Sequence, residues 1–157
     1  MILRATRRVS IEGRRVLTDV YHPALSPDGT QIGYFDGMGD HSHNLWVMNA
    51  DGTERRLLLD HEVAGPGHMY ALTWSPDGEW RAFQTDNRIY LVRSDGTGLR
   101  PVVEGFFIAA SAVQWSPDGS RIAYLRGGAL SIVNVDGGDE RIIEQIRATS
   151  IAWNPAV

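Results

Sequence analysis

The sequence contains no cysteine, shows no excess of positive charge and has no apolar run long enough to span a membrane. The lack of cysteine excludes disulfide bonds, thiolate catalysis and cysteine-ligated zinc. Lysine and arginine total 15 against 19 aspartates and glutamates, which leaves a net charge of −4. Proteins that bind nucleic acid through its phosphates usually carry a basic surplus, so nucleic acid is not an expected partner.

Two further absences concern compartment and catalysis. The first eight residues, MILRATRR, lack the apolar core of a signal peptide, which predicts a cytoplasmic chain as it stands, or a periplasmic one if a leader was removed. The sequence also lacks a Gly-x-Ser-x-Gly elbow, a P-loop and a His-Glu-x-x-His motif. Serine hydrolase, nucleotide hydrolase and zincin chemistry therefore have no support.

What the sequence does contain is one tetrapeptide three times. Ser-Pro-Asp-Gly occupies positions 26–29, 75–78 and 116–119, each time between two short runs rich in β-forming residues. Proline presets φ for the first central position of a type I turn, aspartate tolerates the next position, and glycine takes the left-handed one. Each copy therefore predicts a turn between two antiparallel strands.

A second turn signal alternates with the first. Asp-Gly recurs at positions 51–52, 95–96 and 136–137, each time ahead of a run with arginine and aliphatic residues. Two turns per unit indicate four strands per unit, and the Ser-Pro-Asp-Gly copies are 49 and 41 residues apart. A period near 40 residues with four strands is typical of a propeller blade. No stretch shows a convincing helical period.

These signals predict an all-β propeller of four-stranded antiparallel blades, a single partial domain over residues 1–157. In blade two, for example, we expect strands at Tyr70–Trp74, Glu79–Thr85, Arg88–Arg93 and Leu99–Val103. About three full blades fit the chain, and partial blades flank them. An outer-type strand is predicted at 14–18, where Arg-Arg-Val-Leu-Thr resembles Arg-Arg-Leu-Leu-Leu at 55–59, and an inner-type strand at 150–153.

The partial blades leave three ways to close a ring. The two ends could form a fourth blade together, a second copy could complete the ring, or the chain could belong to a longer polypeptide. We favour self-association into a homodimer that completes the ring, because a composite fourth blade would be short by a strand. An open arc would expose strand edges and apolar faces.

The motifs resemble a known family. Trp-Ser-Pro-Asp-Gly, the Arg-Ile-Ala-Tyr at 121–124 and the Leu-Trp-Val-Met-Asn-Ala-Asp-Gly at 45–52 are similar to the TolB-type propeller repeat. The resemblance covers nearly the whole chain and implies a β-propeller fold. The same repeat occurs in TolB, in propellers attached to prolyl-oligopeptidase-like and tricorn proteases, and in oligogalacturonate lyases, so it does not imply one activity.

All five histidines fall in or beside links at the rim opposite the two kinds of turn. They are His22, His41, His43, His61 and His68, and Tyr70 joins them. We interpret this rim as the place of a ligand site, although histidine is also common in polar loops without a ligand.

Two functions fit these residues. The first is a non-catalytic scaffold that binds a protein, peptide or glycan through one rim or the central channel and needs no cofactor. The alternative is a metal-dependent lyase or hydrolase, for which the resemblance to oligogalacturonate lyases implies histidine ligands before an inner strand. His22 and His68 would then hold a divalent transition metal such as manganese or zinc. We favour the binding scaffold.

Overall fold

The computed structural model describes residues 8–11, 14–18, 20–37, 43–64, 68–105, 112–145 and 150–153. The first described strands, β1 (Arg8–Ile11) and β2 (Arg14–Thr18), form an antiparallel pair. Three four-stranded antiparallel sheets follow, and in each the strands lie side by side in chain order. We call these sheets blades one, two and three. This is the arrangement predicted from the alternating turns.

The strand bounds agree closely with the predicted ones. Blade one holds β3 (Val20–Leu25), β4 (Gln31–Asp36), β5 (Leu45–Asn49) and β6 (Arg56–Leu59). Blade two holds β7 (Tyr70–Trp74), β8 (Trp80–Gln84), β9 (Arg88–Arg93) and β10 (Arg100–Glu104). Blade three holds β11 (Val113–Trp115), β12 (Arg121–Arg126), β13 (Ala129–Asn134) and β14 (Arg141–Gln145).

A Ser-Pro-Asp-Gly turn joins the first two strands of every blade in the same way. In the second copy, the Ser75 hydroxyl donates to Asp77 Oδ1 at 2.5 Å, and the Trp80 N–H donates back to Ser75 Oγ at 2.9 Å. Gly78 has a φ of +74°, a conformation that favours glycine. The first and third copies repeat these bonds.

The Asp-Gly turns lie beside the Ser-Pro-Asp-Gly turns, as predicted. In blade two the Ser94 N–H donates to the Glu79 carbonyl at 2.8 Å, and equivalent bonds tie the two turns in the other blades. We call this end of the molecule, formed by residues 26–29, 51–52, 75–78, 95–96, 116–119 and 136–137, the turn rim. The opposite end carries the links from second to third strands and from outer to inner strands.

The first strand of each blade is the inner one. Strand β7 contacts both β3 and β11, so the three inner strands run next to each other along the axis side of the arc. Apolar side chains fill the space between blades. Phe35, Leu45 and Leu59 of blade one pack with Phe83 and other residues of blade two, and a second cluster lies between blades two and three. Face-to-face stacking explains why the central strands read as continuous apolar runs.

One short helix departs from the all-strand expectation. Helix α1 (His61–Ala64) forms a single turn in the link from blade one to blade two. The Asp60 side chain accepts the N–H of Glu62 at 3.0 Å, which satisfies a donor that a helix start leaves unpaired. Within the described ranges, the structure contains no helix with the length and apolar character needed to cross a membrane.

Candidate functional site

The inner strands of blades one and two are bulged at the same place. The register of β3 shifts between Tyr21 and Ala24, and that of β7 shifts between Tyr70 and Thr73. In each bulge a residue other than glycine takes a positive φ, His22 at 47° and Ala71 at 53°. Both stand four residues before the serine of a Ser-Pro-Asp-Gly turn. A bulge re-aims the side chains around it, and here these belong to a histidine and two tyrosines.

Five ring-bearing side chains meet above these bulges. His22 lies 5.9 Å from Tyr70, and Tyr70 lies 5.6 Å from His68, measured between ring centroids. His68 is 5.4 Å from His43, and His43 is 5.4 Å from Tyr21. These four contacts form one unbroken series that begins at Tyr21 and ends at His22. We call these five residues the ring cluster.

The half-buried Asp36 carboxylate accepts two hydrogen bonds from residues close to His43. Asp36 Oδ1 accepts the backbone N–H of Asn44 at 2.9 Å, while Asp36 Oδ2 accepts the indole N–H of Trp46 at 2.7 Å. His43 itself is only 8% exposed. The imidazole therefore belongs to the packed part of the blade end and has a defined place beside His68.

His61 makes its contacts elsewhere. Its backbone N–H donates to Asn44 Oδ1 at 2.9 Å, and its Nδ1 lies 3.0 Å from Asp60 Oδ1. It shares the rim with the ring cluster but points to these polar neighbours. His41, the fifth predicted histidine, lies outside the described residues.

The surroundings disfavour positive charge on His22. Although the His22 side chain is exposed, partial burial of its ring and the nearby His43 lower the pKa of His22 below its usual value. Burial, and then the charge of Asp86, raise the pKa of Tyr70. His22 is therefore a neutral imidazole at neutral pH, with one nitrogen that donates a hydrogen bond and one that accepts.

Comparison with known proteins shows the family. Residues 5–150 match the model of the lipoprotein LpqB β-propeller domain. The chain belongs to this family. It is also 34% identical, over 64 residues, to the uncharacterized protein YidR of Escherichia coli; this stretch is 41% of the chain and 15% of YidR.

Solved structures resemble the LpqB-type domain over most of its length. TolB from Acinetobacter baumannii gives a TM-score of 0.68 at 18% identity, over 87% of this chain and 35% of that one. A nidogen/laminin complex gives 0.71 at 18% identity, over 90% and 56%. An oligogalacturonate lyase in complex with manganese gives 0.63 at 20% identity, over 83% and 38%. The chain thus spans roughly half or less of these relatives, and identities this low show only a shared fold.

The metal alternative rests on His22 and His68. Each of the two imidazoles contacts Tyr70. Among the residues that the structure describes, no group of three or more histidines, aspartates and glutamates is placed to hold a metal ion. A metal bound by His22 and His68 in this LpqB-type domain stays a prediction.

Two notable residues escaped the sequence analysis. Tyr21 completes the ring cluster, and its signal was available, because Tyr21 and Tyr70 both stand five residues before a turn serine. Arg81 is the second: its guanidinium is fully buried. It occupies the position that Ile32 and Ile122 fill in the other two blades, a break in the repeat that an alignment of the three units reveals.

Proposed function

We propose that this LpqB-type domain is a non-catalytic binding module that takes a protein, peptide or glycan ligand at the ring cluster. The observation that carries the proposal is the unbroken series of ring contacts that runs from Tyr21 through His43, His68 and Tyr70 to His22. Such a density of rings is unusual for a polar rim. The opposite rim repeats the same turns in each blade and offers no comparable group in the described residues.

The chemistry of the cluster suits a ligand with both apolar and polar groups. Tyrosine and histidine rings present flat faces for C–H groups or aromatic side chains, and their edges carry hydrogen-bonding atoms. Sugar rings and peptide segments share these features. Neutral imidazoles, as at His22, can both donate to and accept from such a ligand.

Backbone strain supports a ligand role for His22. A non-glycine residue at φ 47° costs about 1 kcal/mol, and strained residues of this kind concentrate at functional sites. The equivalent Ala71 shows that the bulge itself belongs to the repeat in these two blades, while the imidazole is particular to blade one.

A binding screen with matched variants tests the proposal. The wild-type chain is screened against an immobilised glycan array and a library of displayed 12-residue peptides, in parallel with Tyr70→Ala and His68→Ala. Ligands selected by the wild type should bind both variants at least tenfold more weakly. His61→Ala is the control, since His61 lies on the same rim outside the cluster, and it should keep wild-type binding. Ligands that bind all four proteins equally would contradict the proposal.

A second copy completing the ring is the assembly that best fits this module. An apolar pocket of about 230 Å³ lies on the outer face of blade three, lined by Ala123, Leu130, Ile132 and the segment 151–153. The Trp153 indole N–H donates to the Gln114 carbonyl at 3.3 Å, as that of Trp74 donates to the Ala24 carbonyl at 3.1 Å. Residues 150–153 thus sit where the inner strand of another blade would begin.

The strand types of two copies are complementary at this position. Within the described residues, strands β1 and β2 form a two-stranded antiparallel sheet, and β1 contacts β3 of blade one. The pair from a second copy would supply outer strands beside residues 150–153. Light scattering should then give twice the chain mass of 17.4 kDa, and Leu130→Asp should reduce that mass to the monomer's. A wild-type monomer would overturn this assembly.

We infer the compartment of this protein from its family. The matching model is described as a domain of a lipoprotein, and lipoproteins are exported proteins anchored by lipid. We expect the ligand to be met outside the cytoplasm, where peptides and envelope glycans are both abundant. Fractionation of cells that express the natural gene should recover the protein with the envelope; recovery with the cytosol would contradict this placement.

A further inference from the structure

Arg81 breaks the repeat at a buried position. It is the second residue of β8, where β4 has Ile32 and β12 has Ile122, and all three side chains are 0% exposed. Strand pairing places Arg81 beside Trp74 on one side and Val92 on the other. Val92 packs with blade one, so the guanidinium also lies between blades one and two.

The neighbouring side chains make room for this arginine. The Arg81 guanidinium stacks on the Trp74 ring at 3.6 Å from its centroid. Blade one faces Trp74 with Gly33, where the other blades have alanine at positions 82 and 123. A Cβ at Gly33 would lie 3.1 Å from Leu72 and 3.6 Å from Trp74 Nε1. Glycine at position 33 of blade one thus leaves the space that Leu72 and the stacked pair of Trp74 and Arg81 in blade two occupy.

The guanidinium lacks an acceptor in the described part of the protein. Among the residues that the structure describes, none of its three nitrogens has a hydrogen-bond partner, and no carboxylate lies within ion-pair distance of it. The neighbouring charge is of the same sign: burial and then Arg56 lower the pKa of Arg81 to about 9. Arg81 is still charged at neutral pH, and a buried charge needs an opposite charge and acceptors for its N–H groups.

We propose that Arg81, with the positive charge of Arg56 nearby, binds one small monovalent anion of the halide class between blades one and two. Trp74 covers one face of the guanidinium, so the donors available to an anion lie in its plane, at the edges. Arg56 is held in the same region by donating to the Ser94 carbonyl at 3.0 Å. Neither guanidinium forms an ion pair with a carboxylate of the described residues, so the two form a local excess of positive charge.

A cleft at the turn rim lies beside the proposed site. It has a volume of about 510 Å³, and Trp74 and Ser94, which contact Arg81 and Arg56, form part of its wall. Asp28 and Asp77 line the same cleft. Their carboxylates repel anions in proportion to the anion's charge, so a singly charged ion enters more readily than phosphate or sulfate.

Anion-dependent stability tests the site. The wild-type chain is unfolded by heat at pH 7 and constant ionic strength while sodium gluconate is replaced by sodium chloride. Chloride that binds only the folded state should raise Tm saturably, by about 3 °C. Arg81→Ile, which restores the residue of the other blades, should abolish the rise. A wild type without a chloride response, or the same response in Arg81→Ile, would overturn the proposal.

Two further variants and a direct observation keep the test decisive. Arg100→Met removes an equal charge from an arginine that stacks on Trp80 and donates to the Val135 carbonyl, and it should keep the wild-type response. Arg81→Lys keeps a charge without the planar fork and should need at least tenfold more chloride. Crystals soaked in bromide should show anomalous density beside Arg81. Density only at the surface, or a larger response to sulfate than to chloride, would contradict the site.

Discussion

The two rims of this propeller arc differ in how closely they follow the sequence repeat. On the turn rim, three Ser-Pro-Asp-Gly turns repeat the same hydrogen bonds, with serine to aspartate distances of 2.5 to 2.6 Å. On the other rim, each link has its own sequence, and the five residues of the ring cluster come from blades one and two alone. The comparison teaches that repetition marks what holds the blades and that departure from the repeat marks where function is to be sought.

Changes in the turn rim should have the largest effect on the free energy of unfolding and none on ligand binding at the ring cluster. Ser75 is 1% exposed, and its hydroxyl bonds to Asp77 and Trp80. Ser75→Ala leaves buried polar groups without a partner and should cost about 2 kcal/mol in the free energy of unfolding. Urea denaturation measures this. Ser26→Ala and Ser116→Ala should cost similar amounts, and a marked inequality would show that the three turns are not equivalent.

A glycine in either inner-strand bulge should separate strain from function. Ala71→Gly and His22→Gly each relieve a positive φ and should raise the free energy of unfolding by about 0.5 kcal/mol. Only His22→Gly should also lose ligand affinity, because only it removes a ring from the cluster. If both variants bind as the wild type does, His22 has no part in the site.

Acid below about pH 4 should weaken the turn rim. The Ser116 hydroxyl, followed by the N–H and hydroxyl of Ser120, lowers the pKa of Asp118 from 3.8 to about 2. A depressed pKa stabilises the fold above the unfolded value, and this contribution is lost as the pH falls from about 4 to about 2. Asp118→Asn should flatten that part of the stability curve. An unchanged acid limb would contradict the role of these bonds.

Protonation of His22 in the ring cluster should have the smallest effect on the free energy of unfolding, and this effect should occur at higher pH. Because partial burial and His43 lower the pKa of His22 below 6.5, the unfolded chain takes up that proton more readily than the folded one. Stability should fall slightly as the pH drops through 6.5 and level off below the folded pKa. His22→Gly should remove this component, as seen in urea midpoints at pH 7.5 and 5. The same pH dependence in both proteins would refute it.

The turns and most strands were predictable because their signals are local. Strand bounds at Tyr70–Trp74 and Arg88–Arg93 are those expected from sequence, since a Ser-Pro-Asp-Gly turn sets the register of both strands beside it. The rim of the histidines followed from counting links. That each blade stacks on the next was implied by the repeat, and membership of the LpqB propeller family confirms the fold.

The composition of the candidate site was only partly predictable. Tyr21 was missed because an inner-strand tyrosine normally reads as core, although it stands five residues before a turn serine, as Tyr70 does. Only the folded structure shows that the bulge brings it beside His43. His61 was included in the predicted site because its link lies on the predicted rim. Its bonds to Asn44 and Asp60, however, depend on a helical turn that the sequence periodicity does not predict. Such details depend on contacts between segments far apart in the chain.

Sequence alone determined the number of turns, the order of the strands and the rim on which variable links lie, because proline, aspartate and glycine act within four residues. The tertiary structure decided which rings touch and which charge is buried, because strand pairing within a blade and stacking between blades bring together groups that are 20 to 50 positions apart. Tyr21 meets His43 within blade one, and the Trp74 indole meets the Ala24 carbonyl between blades one and two. The Ser-Pro-Asp-Gly repeat thus encodes the frame, and the exceptions within it, His22 and Arg81, acquire their meaning only when the blades are packed together.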